Sequence, residues 1–152
     1  MSHSWPHEPK FLLLFLKRKK GTLILFSTKD ASKGKAMYKI AVFRNRVWHI
    51  IDVAETYNVN VGGALYYDRN RHSMIVYLIN QDHKLEEWAV TMEGKSRMNV
   101  ICPSVGKDWQ CYAPKIAFND KGKPVLLFNC CFGKDVSYIF SYSDQNTKQL
   151  DR

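Results

Sequence analysis

Residues 61–81 read VGGALYYDRNRHSMIVYLINQ. Two runs rich in aromatic and β-branched residues, one ending at Tyr67 and one beginning at Met74, flank the polar cluster Asp68-Arg69-Asn70-Arg71-His72. That is the pattern of two strands joined by a hairpin. The next stretch, KLEEWAVTMEGK from Lys84 to Lys95, supplies a third short run behind another polar break. No window of a dozen residues carries a convincing 3.6-residue apolar period, so any helix is expected to be incidental.

Sliding the chain against itself by 51 residues aligns three segments without a gap: Leu13 to Ile40, Ala64 to Thr91, and Lys115 to Tyr142. Ile24, Ile75 and Leu126 fall together, as do Leu25, Val76 and Leu127, and Phe26, Tyr77 and Phe128. A period of this length points to a supersecondary unit stacked on copies of itself, because one unit cannot bury both of its faces alone. Strands are predicted at 11–16, 22–28, 36–43 and 46–53 in the first unit, and at 63–67, 73–80, 85–92 and 97–102 in the second. The third unit offers only 112–118, 123–131 and 135–143. The expected organisation is an N-terminal arm over 1–10, three β units over 11–143 (11–53, 63–102 and 112–143), and a polar tail over 144–152. Continuous apolar stretches such as LILF and VLLF suit strands covered on both faces.

The chain has 152 residues, 45% of them apolar and 13% aromatic, which argues against disorder and provides a core without help from disulfides or a metal. Cys102, Cys111, Cys130 and Cys131 show neither C-x-x-C spacing nor a histidine at zinc-site spacing, so reduced thiols are expected and no metal. Cys130 and Cys131 are neighbours on a strand and point to opposite faces. The longest apolar run, Phe11 to Leu16, falls far short of the roughly 20 residues that span a bilayer. No secretory cleavage pattern follows it. The chain as written is therefore expected to lack a transmembrane segment and to be cytoplasmic.

The order VGGALYYDRNRHSMIVYLINQ then KLEEWAVTMEGK resembles the blades of bacterial sialidase-like propellers of the BNR class. YAPKIAFNDKGKPVLLF followed by DVSYIFSYSD repeats that order, and MYKIAVFRNRVWHIIDVA fits the outer half of a blade. The resemblance covers Lys10 to Ser143 and implies a propeller, with Trp48 packed between neighbouring blades. It also implies, as an alternative, a fragment of a glycoside-processing enzyme. The family's S-x-D-x-G-x-T-W box is not intact: Ser27-Thr28-Lys29-Asp30 has one residue too many before the Asp, and Ser141-Tyr142-Ser143-Asp144 lacks the Gly and Trp. A β-trefoil, which also has three four-stranded units, is the competing fold, and a trefoil lectin the competing function.

Charge is concentrated in the first hairpin of each unit: Lys17-Arg18-Lys19-Lys20, then Asp68 to His72 with Arg69 and Arg71, then Asn119 to Lys123 with Lys121 and Lys123. Together these hairpins hold six of the nine net positive charges. Equivalent turns of a repeat lie on one edge, so the charge gathers on a rim able to attract an anionic polymer or glycan. The alternative is that these cations merely keep strand edges soluble and unpaired. Trp109, behind Gly106-Lys107-Asp108, is placed in a connector, where it either stacks on a ligand or plugs the sheet. Trp48, Trp88, Tyr66, Tyr67, Tyr77 and Tyr138 are candidates for stacking or, more simply, for packing.

Acid–base catalysis would need two converging carboxylates. Glu86 and Glu87 are adjacent on a strand and diverge, while Asp68 and Asp120 suit the turns that hold them. Nucleophile and phosphate-loop motifs are absent from the sequence, and no cofactor is nominated. The expectation is an all-β binding module of three four-stranded units, a partial or self-assembling propeller, with a homodimer closing the ring as a possible partner arrangement.

Overall fold

The computed structural model describes residues 14–18, 21–30, 35–56, 62–101, 109–132 and 136–151. They form the strands β1 (Leu14–Arg18), β2 (Gly21–Asp30), β3 (Lys35–Arg44), β4 (Val47–Thr56), β5 (Gly63–Asp68), β6 (Ser73–Ile79), β7 (Leu85–Val90), β8 (Lys95–Ile101), β9 (Trp109–Phe118), β10 (Pro124–Phe132), β11 (Val136–Ser143) and β12 (Asn146–Asp151). Each successive set of four makes one antiparallel sheet in chain order. The architecture is the expected all-β series of three four-stranded blades. In place of the trefoil's shared barrel there are three separate sheets.

The second sheet lies between the other two. All seven residues of β6 are buried, because its odd and even positions face different neighbours. Leu65, Met74, Val76, Leu78 and Val90 pack on Leu25, Tyr38, Ile40 and Val53 of the first sheet. From the opposite face, Ala64, Ile75, Tyr77, Ile79 and Leu85 pack on Cys111, Leu126, Phe128, Cys130 and Phe140 of the third. Gly63 sits at a close approach of the first two sheets: a Cβ there would lie 2.9 Å from Leu25 Cδ2 and 3.2 Å from the Tyr77 carbonyl oxygen.

This stacking corrects the gap-free alignment at 51 residues. Leu25 points forward to the second sheet, whereas Val76 points back to the first and Tyr77 points forward to the third. Tyr77, not Val76, is thus the counterpart of Leu25. The first hairpin differs accordingly: two residues separate the paired Arg18 and Gly21, and four separate Asp68 and Ser73. A one-residue slip exchanges the faces of a strand, but in runs apolar on both faces the exchange leaves no trace in the pattern.

The fourth strands are the exposed edges, and here two expectations are corrected. Residues 144–152 were expected as a polar tail, yet β12 pairs with β11 and completes the third sheet. Its described side chains are all exposed, so it carries no apolar alternation to read. The turn before it has φ of 48° at Asp144 and 64° at Gln145, matching 53° and 65° at Asn45 and Arg46 in the β3–β4 hairpin. Both are two-residue turns of the kind that suits the twist of a hairpin. Trp48 was expected between blades. Instead it is 48% exposed and packs against Phe43 at a ring separation of 5.0 Å, because no sheet among the described residues lies against the face of the first sheet that carries it.

Phe128 is buried and stacks on Phe140 with centroids 5.7 Å apart. Phe128→Ala should lower the unfolding free energy by about 3–5 kcal/mol. Val100→Ala, on the exposed β8, should change it by no more than about 0.5 kcal/mol. Urea denaturation checks both, and comparable losses would contradict the burial described.

Candidate functional site

β7 carries Glu86 and Glu87 side by side, so the alternation of a strand sends them to opposite junctions. Both are buried, which a carboxylate tolerates only with partners. Glu86 faces the first sheet. Its Oε1 accepts from Asn80 Nδ2 and Arg97 Nη1, each at 3.0 Å, and its Oε2 accepts from Trp88 Nε1 at 2.9 Å. Arg97 neutralises it, and the network is complete.

Glu87 is met differently. Tyr77 Oη donates to its Oε1 at 3.0 Å, while Asn99 Nδ2 and Tyr142 Oη donate to Oε2 at 2.8 and 3.3 Å. Asn99 Nδ2 also reaches Tyr142 Oη at 3.3 Å. Among the described residues it has no ion-pair partner, although it is only 6% exposed. Tyr66 and Tyr77 stack with ring centres 6.4 Å apart, and Tyr142 meets Tyr77 edge-on at 6.5 Å. Burial, reinforced by the Glu87 charge, raises the Tyr77 phenol well above its ordinary value and pushes Tyr142 up to about 12. Tyr66 is raised too, by burial first and then by Asp68 and Glu87. The hydroxyls therefore remain protonated donors at any physiological pH.

These side chains floor a cleft of about 640 Å³ between the second and third sheets. Its rim is made by the β5–β6 and β9–β10 hairpins, which bring Arg69, Arg71, Lys121 and Lys123 together, with Phe118, Met98 and the turn at Asp144 completing the wall. Asp68 serves its turn, accepting the Asn70 and Arg71 amides at 2.9 and 3.2 Å, and Asn119 does the same for Lys121 and Lys123 at 3.0 Å each. Arg71 is further held by Asp68 Oδ2 at 3.6 Å and by Met98 Sδ at 3.7 Å. Lys123 stands 4.0 Å from Asp144. Asp68 and Asp144, with Asp120 in the β9–β10 hairpin, thus oppose four cations, leaving the rim one positive charge in excess above the Glu87 carboxylate.

Four of the nine expected ligand residues are gathered here. Lys17 and Arg18 end β1 beside Thr22 and Gly21, and their side chains, like Lys19 and Lys20 altogether, lie outside the described residues. Trp109 does not stand in a connector: it is the first residue of β9, opposite Phe132, at the end of the strand remote from the cleft. Its side chain also lies outside the described residues. Asn99 and Tyr142 were not foreseen as site residues. The signal available was Glu87 itself, a charge inside an apolar strand and directly opposite Tyr77.

At the first junction Leu25 and Ile40 hold the places of Tyr77 and Glu87, paired with each other in the same way. The polar floor is thus a feature of the second junction. Among the described residues there is no group of three metal-ligating side chains, and no helix is long and apolar enough to cross a membrane.

The fold defines a class: an arc of consecutive propeller-type blades. No family model matches the chain, and no curated protein does. Among solved structures it is similar to a fucose lectin from Kordia zhangzhouensis in complex with methyl-fucoside, with a TM-score of 0.52 and 10% identity. The likeness covers 86% of this chain and 90% of that one. At such identity the likeness is one of fold.

The raised phenols make stability depend on alkaline pH. An unfolded tyrosine releases its proton near pH 10, whereas Tyr142 in the fold holds it to about 12. The stabilisation is therefore complete below the unfolded value and is lost as pH rises through the folded one. The urea midpoint should fall between about pH 10 and 12, and Tyr142→Phe should flatten that fall. A wild-type curve indifferent to Tyr142→Phe would contradict the assignment.

Proposed function

We propose that the chain is a carbohydrate-binding module whose site is the cleft between the second and third sheets, and that its preferred ligand is an acidic glycan. The observation that carries this is Glu87: a buried carboxylate held by neutral donors only, open to a cleft floored by tyrosines. A sugar presents several hydroxyl donors and an apolar ring face, so it supplies what the carboxylate lacks while packing on the phenol rings. The rim cations Arg69, Arg71, Lys121 and Lys123 favour a ligand that also carries sulfate or carboxylate. The shared fold with a fucose lectin solved in complex with methyl-fucoside supports the carbohydrate part of this reading.

The partner is a second copy. The first sheet leaves Phe43, Trp48 and Ile50 on its outward face, the last two 48% and 54% exposed, and the third leaves Leu127 and Ile139 on its own. These are the back face of the first blade and the front face of the last, the same two kinds of surface that meet at both internal junctions. Two chains placed head to tail close a six-bladed ring by two such contacts.

Calorimetric titration with a heparin-derived oligosaccharide and with a neutral fucoside tests the site. Tighter, salt-sensitive binding of the acidic sugar is expected, at one site per chain. Glu87→Gln should abolish binding of both sugars, and Arg71→Ser with Lys121→Ser should weaken the acidic one about tenfold, or about 1.4 kcal/mol. Equal affinity for both sugars would remove the acidic preference, and binding by neither would remove the function. Light scattering tests the ring: twice 17.7 kDa is expected, reduced to one chain by Trp48→Asp with Ile50→Asp. A wild-type monomer at micromolar concentration would contradict closure.

A further inference from the structure

The third sheet holds a feature at the end opposite the cleft that glycan binding does not use. Cys111 of β9 and Cys130 of β10 are directly paired across the strands, and both are buried, at 1% and 0% exposure. The Cys111 amide turns away from β10 and donates to the His83 carbonyl oxygen of the second sheet at 2.8 Å. The pair is therefore of the non-hydrogen-bonded kind, in which facing side chains approach most closely, with Cα atoms about 4.5 Å apart. That spacing lies inside the range a disulfide spans. The sulfurs, present as thiols, are 2.7 Å apart. Cys131 is turned to the other face, with its Sγ 3.7 Å from the Gln110 carbonyl oxygen, and does not compete for Cys130.

We propose that Cys111 and Cys130 are a cross-strand disulfide site, oxidised by a small-molecule disulfide such as oxidised glutathione and pinning β9 to β10. Cys111 is the attacking group. Its thiol is held below the usual range, chiefly by its hydrogen bond to Cys130 and further by a backbone hydrogen bond at Leu85 and the nearby Lys84, against the opposing effect of burial. As thiolate it attacks one sulfur of the oxidised glutathione, forming a mixed disulfide and expelling one glutathione thiolate, which takes up a proton. Cys130 then loses its proton and displaces the second glutathione. The protein pair gives up two electrons and two protons, and the small disulfide is reduced to two thiols. β9 is the terminal strand of its sheet, so parting it from β10 breaks no other strand pairing, although the Cys111 amide must release the His83 carbonyl and its packing on the second sheet; that opening would give the reagent access to sulfurs that the closed sheet buries.

The test uses the full chain, incubated folded with oxidised glutathione and, in a second arm, refolded from urea in a glutathione buffer so that burial cannot hide the thiols. After acid quenching, denaturation and alkylation, peptide mass mapping should find Cys111 linked to Cys130, lighter by two hydrogens, with Cys131 alkylated. Dithiothreitol should reverse the link, and Cys131→Ser should leave it intact. The oxidised chain should melt roughly 10 °C higher than the reduced one, since the link closes a loop of ordinary length. Alkylation of Cys111 and Cys130 in both arms, or a link from either of them to Cys102 or Cys131, would overturn the assignment. A Cys111–Cys130 link that leaves melting unchanged would overturn the pinning.

Discussion

Everything in this chain depends on one constraint: the middle sheet has to bury both of its faces. β6 is wholly buried because the first and third sheets cover it from opposite sides, and neither outer sheet has that protection. A sheet apolar on one side can end a stack, but a sheet apolar on both sides can only sit inside one. The order of the blades in space therefore follows from their order in sequence. It also leaves two faces, one with Trp48 and Ile50 and one with Ile139, against which no sheet is packed among the described residues.

The same sheet divides its polar residues between the two junctions. Glu86 and Glu87 differ by one position and face different blades, and their surroundings make them different groups. Glu86 is closed by Arg97, Asn80 and Trp88, and acts as a strut. Glu87 is held by Tyr77, Asn99 and Tyr142 without a cation, beneath a rim supplied by two basic hairpins. A buried carboxylate balanced by neutral donors is a costly arrangement for structure alone, because taking the charge out of water is not offset by an opposite charge. That imbalance is what favours the proposed site at this junction over the first.

Much of this was legible in the sequence. The eleven expected strands lie close to observed ones, and the hairpins at Asp68 and Asn119 line one cleft, while the side chains of the first hairpin, expected on the same rim, lie outside the described residues. What escaped did so for physical reasons. The one-residue slip in the repeat is invisible where both faces of a strand are apolar, as in LILF and MIVYLI. β12 has no buried side to mark it, although Asp144-Gln145 stands where Asn45-Arg46 turns the first blade. Trp48 reads as a core residue by composition, and only the arrangement of sheets shows that its face is uncovered. Asn99 and Tyr142 join Glu87 from different sheets, a convergence that no local pattern encodes.

The central claim is that ligand recognition resides at the second junction. The most direct measurement is a nuclear magnetic resonance titration of the assigned chain with a heparin-derived oligosaccharide. Shifts confined to residues 66–71, 98–99, 118–123 and 142–145, with the Asn99 side-chain amide among the largest, are predicted. Shifts centred on the first junction around Glu86 and Trp88, or on the outer face around Trp48, would contradict it.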